Sequence, residues 1–252
     1  MGSRQQRYEG RRAVVVGGTH GIGLAIAEQL VRDGARVVVT GRDAEKVRAA
    51  ADTLGPAARV LVSDITDADH RAALAEAAGG EIDALFLNAG SAQDAPLADV
   101  TEDSWDRQFG VNAKGAFFTA QALVPRLRRG GGIVFTTLMD MPAFAGGAVP
   151  AASKAAVGAL ARSLAAELLP AGIRVNAVAP GFIDTPSFGV ASVTDAKREE
   201  LRDAGRAATP MGRLGTPAEV ADAAVFLAFE ATFTTGTELT VDGGVSNLAV
   251  PS

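Results

Sequence analysis

The chain contains no cysteine. Disulfides, a thiolate nucleophile and a cysteine-held metal are therefore excluded. Histidine occurs only as His20 and His70, which stand alone in the sequence, so no metal site is expected. Tyrosine occurs once, as Tyr8, in a polar N-terminal segment. Basic residues are in deficit: 24 Lys and Arg stand against 29 Asp and Glu, a net charge of -5 at pH 7. Without a basic stripe to neutralise phosphates, neither nucleic acid nor an anionic membrane is an expected partner. No apolar run approaches the roughly 20 residues of a membrane span. Residues 1–12 hold no apolar stretch that reads as a secretory signal, and Gln6 breaks the myristoylation pattern opened by Gly2. A cytoplasmic protein that binds a small molecule is the expectation.

What the sequence does contain is a regular alternation. Short Val/Ile/Leu-rich runs read as strands at Ala13–Gly17, Arg36–Thr40, Arg59–Val62, Ala84–Asn88, Ile133–Thr137, Arg174–Ala179 and Glu238–Val241. They lack polar alternation, as parallel strands covered on both faces do. Between them lie helical patterns at Ile22–Asp33, Ala44–Leu54, Ala68–Ala78, Glu102–Arg128, Ala151–Leu169 and Pro217–Phe229. Thr216-Pro217-Ala218-Glu219 is a capping box with proline at the first helical position. Asp43 and Thr66 read as N-caps of the second and third helices, and Gly172 as the glycine ending the long helix before the sixth strand. The alternation predicts an α/β fold, a Rossmann-type doubly wound parallel sheet. It forms a single domain over residues 13–252, after the polar segment 1–12. Residues 186–210 hold no strand and read either as a mobile substrate lid or as an exposed helix pair.

After the first strand comes Gly17-Gly18-Thr19-His20-Gly21-Ile22-Gly23, which opens a helix. Glycines let the backbone turn tightly and approach a pyrophosphate, while the helix N-terminus offers free N–H groups. In an NAD site the second strand ends in an acid that meets the ribose 2′-hydroxyl. Here it ends Val39-Thr40-Gly41-Arg42, with no acid at its tip. A guanidinium pairs with a 2′-phosphate that an acid would repel, so NADP(H) is the expected cofactor. His20 either assists at that phosphate or is a solvated turn residue.

Further motifs follow in order: Asp64-Ile65, Asn88-Ala89-Gly90, Asn112, Ser153-Lys154-Ala155-Ala156, Val175 to Gly181, Gly212-Arg213-Leu214-Gly215 and Val241-Asp242-Gly243-Gly244. With the glycine turn, this set resembles the short-chain dehydrogenases/reductases from about residue 10 to residue 245. The resemblance implies that Gly17, Thr19, His20, Gly21 and Ile22 cradle the cofactor and that Asp64 and Ile65 border its adenine. It implies that Asn88, Ala89 and Gly90 pass beneath the cofactor, and that Pro180, Gly181, Ile183 and Thr185 hold the nicotinamide end. It also implies a homotetramer or homodimer, with interfaces on the helices starting near Ala151 and Pro217 and on the Glu238–Val241 strand.

The family's reaction moves a hydride between nicotinamide and a carbonyl or alcohol carbon, using Asn, Ser, Tyr and Lys. Asn112 and Lys154 match the Asn and the Lys, the latter also binding the nicotinamide ribose. The Tyr position, four residues before Lys154, is Pro150. The Ser position is Leu138 counted from the strand, or Thr137 counted back from the tyrosine position. Proline is tolerated there because the first turn of a helix needs no N–H. Candidate replacements for the proton donor are Asp140 in an apolar surround, Lys154 with a water held by Asn112, and Thr137 as an orienting hydroxyl. Against these, Asp140 also reads as an exposed loop acid and Lys154 as a ribose ligand only. Met139, Met141, Pro142, Phe144, Phe182 and Phe188 would make the pocket apolar, suiting a hydrophobic, polyketide-like molecule. Three functions fit: an NADP(H)-dependent oxidoreductase with a non-standard proton donor, a repurposed cyclase, isomerase or lyase, and a non-catalytic partner subunit.

Overall fold

The structure, a computed structural model, describes residues 6–141, 143–186 and 194–248. Pro142 and Phe188 lie outside the described residues. The elements run β1 (Arg12–Val16), α1 (Gly21–Arg32), β2 (Arg36–Gly41), α2 (Ala44–Leu54), β3 (Ala58–Val62), α3 (Ala68–Ala77) and β4 (Ile82–Leu87). They continue α4 (Glu102–Phe109), α5 (Ala116–Leu123), β5 (Leu127–Thr136), α6 (Ala148–Leu168), β6 (Arg174–Pro180), α7 (Asp195–Ala208), α8 (Pro217–Phe229) and β7 (Glu238–Val241). The strands form one seven-stranded sheet in the order β3-β2-β1-β4-β5-β6-β7, and every neighbouring pair is parallel. The order reverses between β1 and β4, and ligands of such sheets bind beyond the strand ends at that reversal.

The central strands carry apolar side chains on both faces, and the two-residue side-chain period sorts these into two cores. Ala13, Val15, Phe86, Val134 and Val178 face α1 and α8, where Ile26, Leu30, Val220 and Ala224 close the layer. Val14, Val16, Leu85, Leu87, Ile133 and Phe135 face the other way, against Leu74, Leu123 and Val157 of α3, α5 and α6. Each such side chain contributes about 1.5–3 kcal/mol of burial.

Helix starts follow local chemistry. Asp43 caps α2 by accepting from the N–H groups of Glu45 and Lys46, and Thr216 and Glu219 form the capping box of α8. The cap of α3 is Asp67 and not Thr66. Thr66 instead donates its N–H and its hydroxyl to Asp64 Oδ1, which leaves the adjacent carboxylate to take the helix N–H groups. The long helix predicted over 102–128 is also interrupted. A π-helical turn, Gly110–Gly115, separates α4 from α5. A Cβ at Gly115 would stand 2.8 Å from the Ile65 side chain, so the chain crosses there at backbone contact. Pro125 then closes α5 into a short 3-10 turn, and Leu127 and Arg128 already belong to β5. Gly172 ends the 3-10 turn that follows α6, at φ +71°. In place of a helix pair, the described part of 186–210 holds the single helix α7.

The N-terminal segment is bound more tightly than its polarity suggests. Tyr8 is buried, its ring stacks on Phe229 at 4.6 Å, and its hydroxyl donates to Glu230 at 2.6 Å. Burial and then the Glu230 carboxylate push its pKa above the ordinary tyrosine value. Arg174, at the start of β6, is buried and donates to the carbonyls of Leu227, Ala228 and Ala231. A cation there satisfies carbonyls at the end of α8 and opposes the helix dipole. No helix among the described residues is long and apolar enough to cross a membrane.

Candidate active site

A cavity of about 1340 Å³ opens at the C-terminal ends of β1 and β4. This exceeds the usual range for one small ligand, roughly 300–1,000 Å³. All the residues the sequence pointed to for the cofactor line it, from Gly17, Thr19, His20, Gly21 and Ile22 through Arg42, Asp64 and Ile65 to Asn88, Ala89 and Gly90. Lys154, Pro180, Gly181, Ile183 and Thr185 complete the wall at the other end.

The glycine turn is held by backbone contact. Gly17 has φ +74°, and a Cβ on it would lie 2.6 Å from Ala89 Cα. A Cβ on Gly23 would lie 2.1 Å from the Gly17 carbonyl oxygen, so α1 starts directly against the turn. Asn88 Nδ2 donates to that same carbonyl at 2.9 Å, and Thr136 Oγ1 donates to Asn88 Oδ1 at 3.1 Å. No side chain caps α1. Its first N–H groups and its positive end are therefore available to an anion. Three further buried atoms on the cavity wall lack hydrogen-bond partners: His20 Nδ1, Thr40 Oγ1 and Ser63 Oγ. Buried polar atoms are rarely left so unless a ligand or water completes them.

The end of β2 cannot carry an acid. A Cβ on Gly41 would lie 2.4 Å from Thr19 Oγ1. Arg42 and Lys46 flank this point on the wall. His20 reports their proximity: its pKa is pulled below the ordinary value by burial first, then by Lys46, with Asp43 opposing and Arg42 adding. The Asp43 carboxylate is committed to capping α2, and the N–H groups of Lys46 and Glu45 hold its pKa down. Next to this cluster, the Asp64 N–H donates to His70 Nδ1 at 3.0 Å.

At the opposite end Lys154, on α6, donates from Nζ to the Thr136 carbonyl at 2.8 Å. Burial alone lowers its pKa to about 8. Gly90 makes room for it, since a Cβ there would stand 2.9 Å from Nζ. Pro150 is the third residue of α6, buried, and lines the cavity with Thr137, Leu138 and Asp140. The Thr137 hydroxyl donates to the Val178 carbonyl at 3.0 Å. Asp140 is exposed. Asn112 sits in the π-helical turn and is not on the cavity wall. Its amide donates to the Ser91 carbonyl and to Ser153 Oγ, both at 2.8 Å, and its Oδ1 accepts from the Ser91 N–H. Ser153 in turn donates to the Pro150 carbonyl at 2.9 Å.

Met139 is buried, Met141 and Phe182 are partly buried and Phe144 is largely exposed; all four line the cavity. Leu201 and Ala204 of α7 border it as well, and Arg202 ties that helix to Asp184 with contacts of 2.9 and 3.1 Å. Several participants escaped the sequence reading. Lys46 lies three residues beyond the Asp43 cap, so helical phase alone returns it to the strand end. Asp94 lines the mouth, with its pKa raised by burial, and no motif marks it. Ser153 sits inside the Ser153-Lys154-Ala155-Ala156 motif and Ser91 directly follows Asn88-Ala89-Gly90, but their bonds to Asn112 are long-range.

Comparison with known proteins agrees with this geometry. The family model described as enoyl-(acyl carrier protein) reductase matches residues 16–246. An oxidoreductase, asL5, of Sarocladium schorii is 36% identical, over 96% of this chain and 98% of that protein. The NADP-dependent (R)-specific alcohol dehydrogenase of Lentilactobacillus kefiri is 37% identical, over 94% of this chain and 97% of its own. A solved short-chain dehydrogenase/reductase from Brucella melitensis, titled glucose/ribitol dehydrogenase, superposes with a TM-score of 0.86 at 33% identity, covering 96% and 99% of the two chains. The sheet order, the glycine turn set against Asn88-Ala89-Gly90 and the Lys154 of α6 thus occur in a chain that belongs to the oxidoreductases of the short-chain dehydrogenase/reductase family.

Proposed function

We propose that the protein is an NADP(H)-dependent oxidoreductase acting on a carbonyl or alcohol of an apolar, polyketide-like small molecule, with a proton path that uses no tyrosine. The observation that carries the reading is one continuous cavity. It joins the uncapped start of α1 and the Arg42, Lys46 and His20 cluster to the Lys154 ammonium. Arg42 and Lys46 would hold a 2′-phosphate and the first turn of α1 a pyrophosphate, while Lys154 would hold the nicotinamide ribose. A bound nicotinamide supplies or accepts the hydride. The NADP dependence of the Lentilactobacillus relative supports the cofactor choice. Met139, Met141 and Phe182 support an apolar substrate.

The test is reduction of apolar ketones followed in parallel by product formation and by loss of NADPH absorbance. Equal consumption of NADPH and ketone is expected. Product formed without a change in NADPH absorbance favours a cyclase, isomerase or lyase instead, the alternative that Pro150 leaves open. Restoring the family pattern with Pro150→Tyr and Leu138→Ser is expected to add simple ketone reduction.

The same reading includes a homotetramer or homodimer. A shallow apolar groove between α5 and α6, lined by Phe117, Ala156, Ala159 and Leu160, supports it, as does the outer edge of β7. Sedimentation as a monomer at micromolar concentration would refute it.

A further inference from the structure

We infer that Lys154 is the proton donor and acceptor of the reaction, exchanging its Nζ proton with the substrate oxygen through the space beside Pro150. This inference rests on the redox reading above and adds the identity of the acid.

The other groups that the sequence offers in place of the missing phenol are engaged or exposed. The lone tyrosine, Tyr8, is locked to Glu230 and stacked on Phe229, away from the cavity wall. The Thr137 hydroxyl gives its proton to Val178 and the Ser153 hydroxyl gives its own to Pro150. The Asn112 amide is spent on Ser91 and Ser153. Asp140 is an exposed residue of the wall. Lys154 remains, one helical turn after Pro150 on the same face of α6. Pro150 puts no donor into the space that a phenol would fill.

The surroundings of Nζ suit proton transfer. Among the described residues it donates to the Thr136 carbonyl alone, so an ammonium with three N–H groups keeps donors for a ligand. The elements around it bring no charge to bear: Thr136 of β5, Gly90 after β4, and Pro150 and Ser153 of its own helix are neutral, as is Asn112 of the π turn. Burial is the sole cause of its shift, and the resulting pKa of about 8 is close to working pH. An acid with a pKa near the operating pH is the most effective proton donor.

With a reduced nicotinamide bound as hydride source, the carbonyl carbon would gain the hydride and its π pair would move to oxygen. That oxygen takes a proton from Nζ, leaving a neutral amine that regains a proton from solvent through the cavity mouth. In the oxidative direction the neutral amine removes the alcohol proton.

The test has a readout independent of turnover. The chain has four lysines, Lys46, Lys114, Lys154 and Lys197, so 13Cε-lysine spectra are simple to assign, with Lys154→Arg deleting one signal. In the NADP+ complex that signal is expected to titrate at or below about 8. The kinetic arm uses NADPH with 1-phenylpropane-1,2-dione as probe. Wild-type kcat should fall as pH rises through the Lys154 midpoint. Lys154→Arg keeps a cation that cannot give up its proton, and should lose about 100-fold or more in kcat. Measured at saturating NADPH, the loss is read in kcat and not in nucleotide binding. Methylammonium should restore turnover to Lys154→Ala. A Lys154 midpoint near 10, or Lys154→Arg turning over at the wild-type rate with the wild-type pH profile, would overturn the inference while leaving the redox reading intact. Failure of wild type to bind NADPH would overturn the redox reading itself.

Discussion

Asn112 Nδ2 and Ser153 Oγ meet at 2.8 Å, joining the π-helical turn between α4 and α5 to the helix that carries Lys154. The same amide group is bonded on both sides to the Ser91 backbone. Asn112 thus clamps the segment after β4 against α6 from behind the cavity wall. Asn112→Ala would leave the Ser91 N–H and carbonyl unpaired and remove the donor to Ser153 Oγ. The expected cost is about 2 kcal/mol, or roughly 4–8 °C in Tm. Because Asn112 does not line the cavity, NADPH affinity should change by less than about threefold, a loss well under 1 kcal/mol. Thermal melting and nucleotide titration of one preparation check both halves. An unchanged Tm would contradict the clamp.

Gly41 excludes the acid found in NAD sites for a steric reason, the 2.4 Å approach of its built Cβ to Thr19 Oγ1. Gly41→Asp should therefore not convert the protein to NADH use. The new side chain would displace Thr19 from the turn, and binding of both nucleotides should weaken by at least tenfold, about 1.4 kcal/mol. Tight NADH binding by Gly41→Asp would contradict this.

Lys154 carries a stability signature. Its folded pKa of about 8 lies below its ordinary value of 10.5. Between those values the unfolded chain binds the extra proton, so stability contributed at this site rises with pH. Below about 8 both states are protonated and the folded state bears the full cost of a buried ammonium. Lys154→Met has no such titration. The stability of the variant minus that of wild type should be most positive below pH 8 and fall as pH approaches 10.5, by at most about 1.4 kcal/mol per pH unit. Urea denaturation at several pH values checks it. A difference that does not vary with pH would contradict the burial of Lys154.

Arg174 should matter for folding and not for the site. Its guanidinium serves three carbonyls at the end of α8. Arg174→Ala is expected to cost about 2–4 kcal/mol, since it strands those acceptors and opens space in a packed region. A loss below about 0.5 kcal/mol in urea denaturation, the range of ordinary surface substitutions, would contradict this role.

The sheet and most helices were legible because apolar runs with β-branched residues alternate with capped amphipathic stretches. The glycine turn and Arg42 were legible because their chemistry is local. What was not legible depends on distant partners. The π turn interrupts a helical pattern that continues unbroken in sequence, and the close approach of Gly115 to Ile65 there joins residues 50 positions apart. Thr66 and Asp67 are both plausible caps, and the choice follows from Thr66 being taken by Asp64. Tyr8 reads as part of a polar tail until Phe229 and Glu230 come beside it. Asn112 reads as the holder of a proton-relay water, and its bonds to Ser91 and Ser153 could not be seen in the sequence because they join residues 21 and 41 positions apart.

The central claim is a working NADP(H) site with its selectivity at Arg42. Its most direct test is a titration of NADPH and NADH, followed by nucleotide fluorescence, on wild type and Arg42→Ala. Wild type should bind NADPH at least tenfold more tightly than NADH. Arg42→Ala should lose most of that difference by weakening NADPH alone, at about 1.4 kcal/mol per tenfold. Equal binding of the two nucleotides by wild type, or no binding of either, would contradict the account.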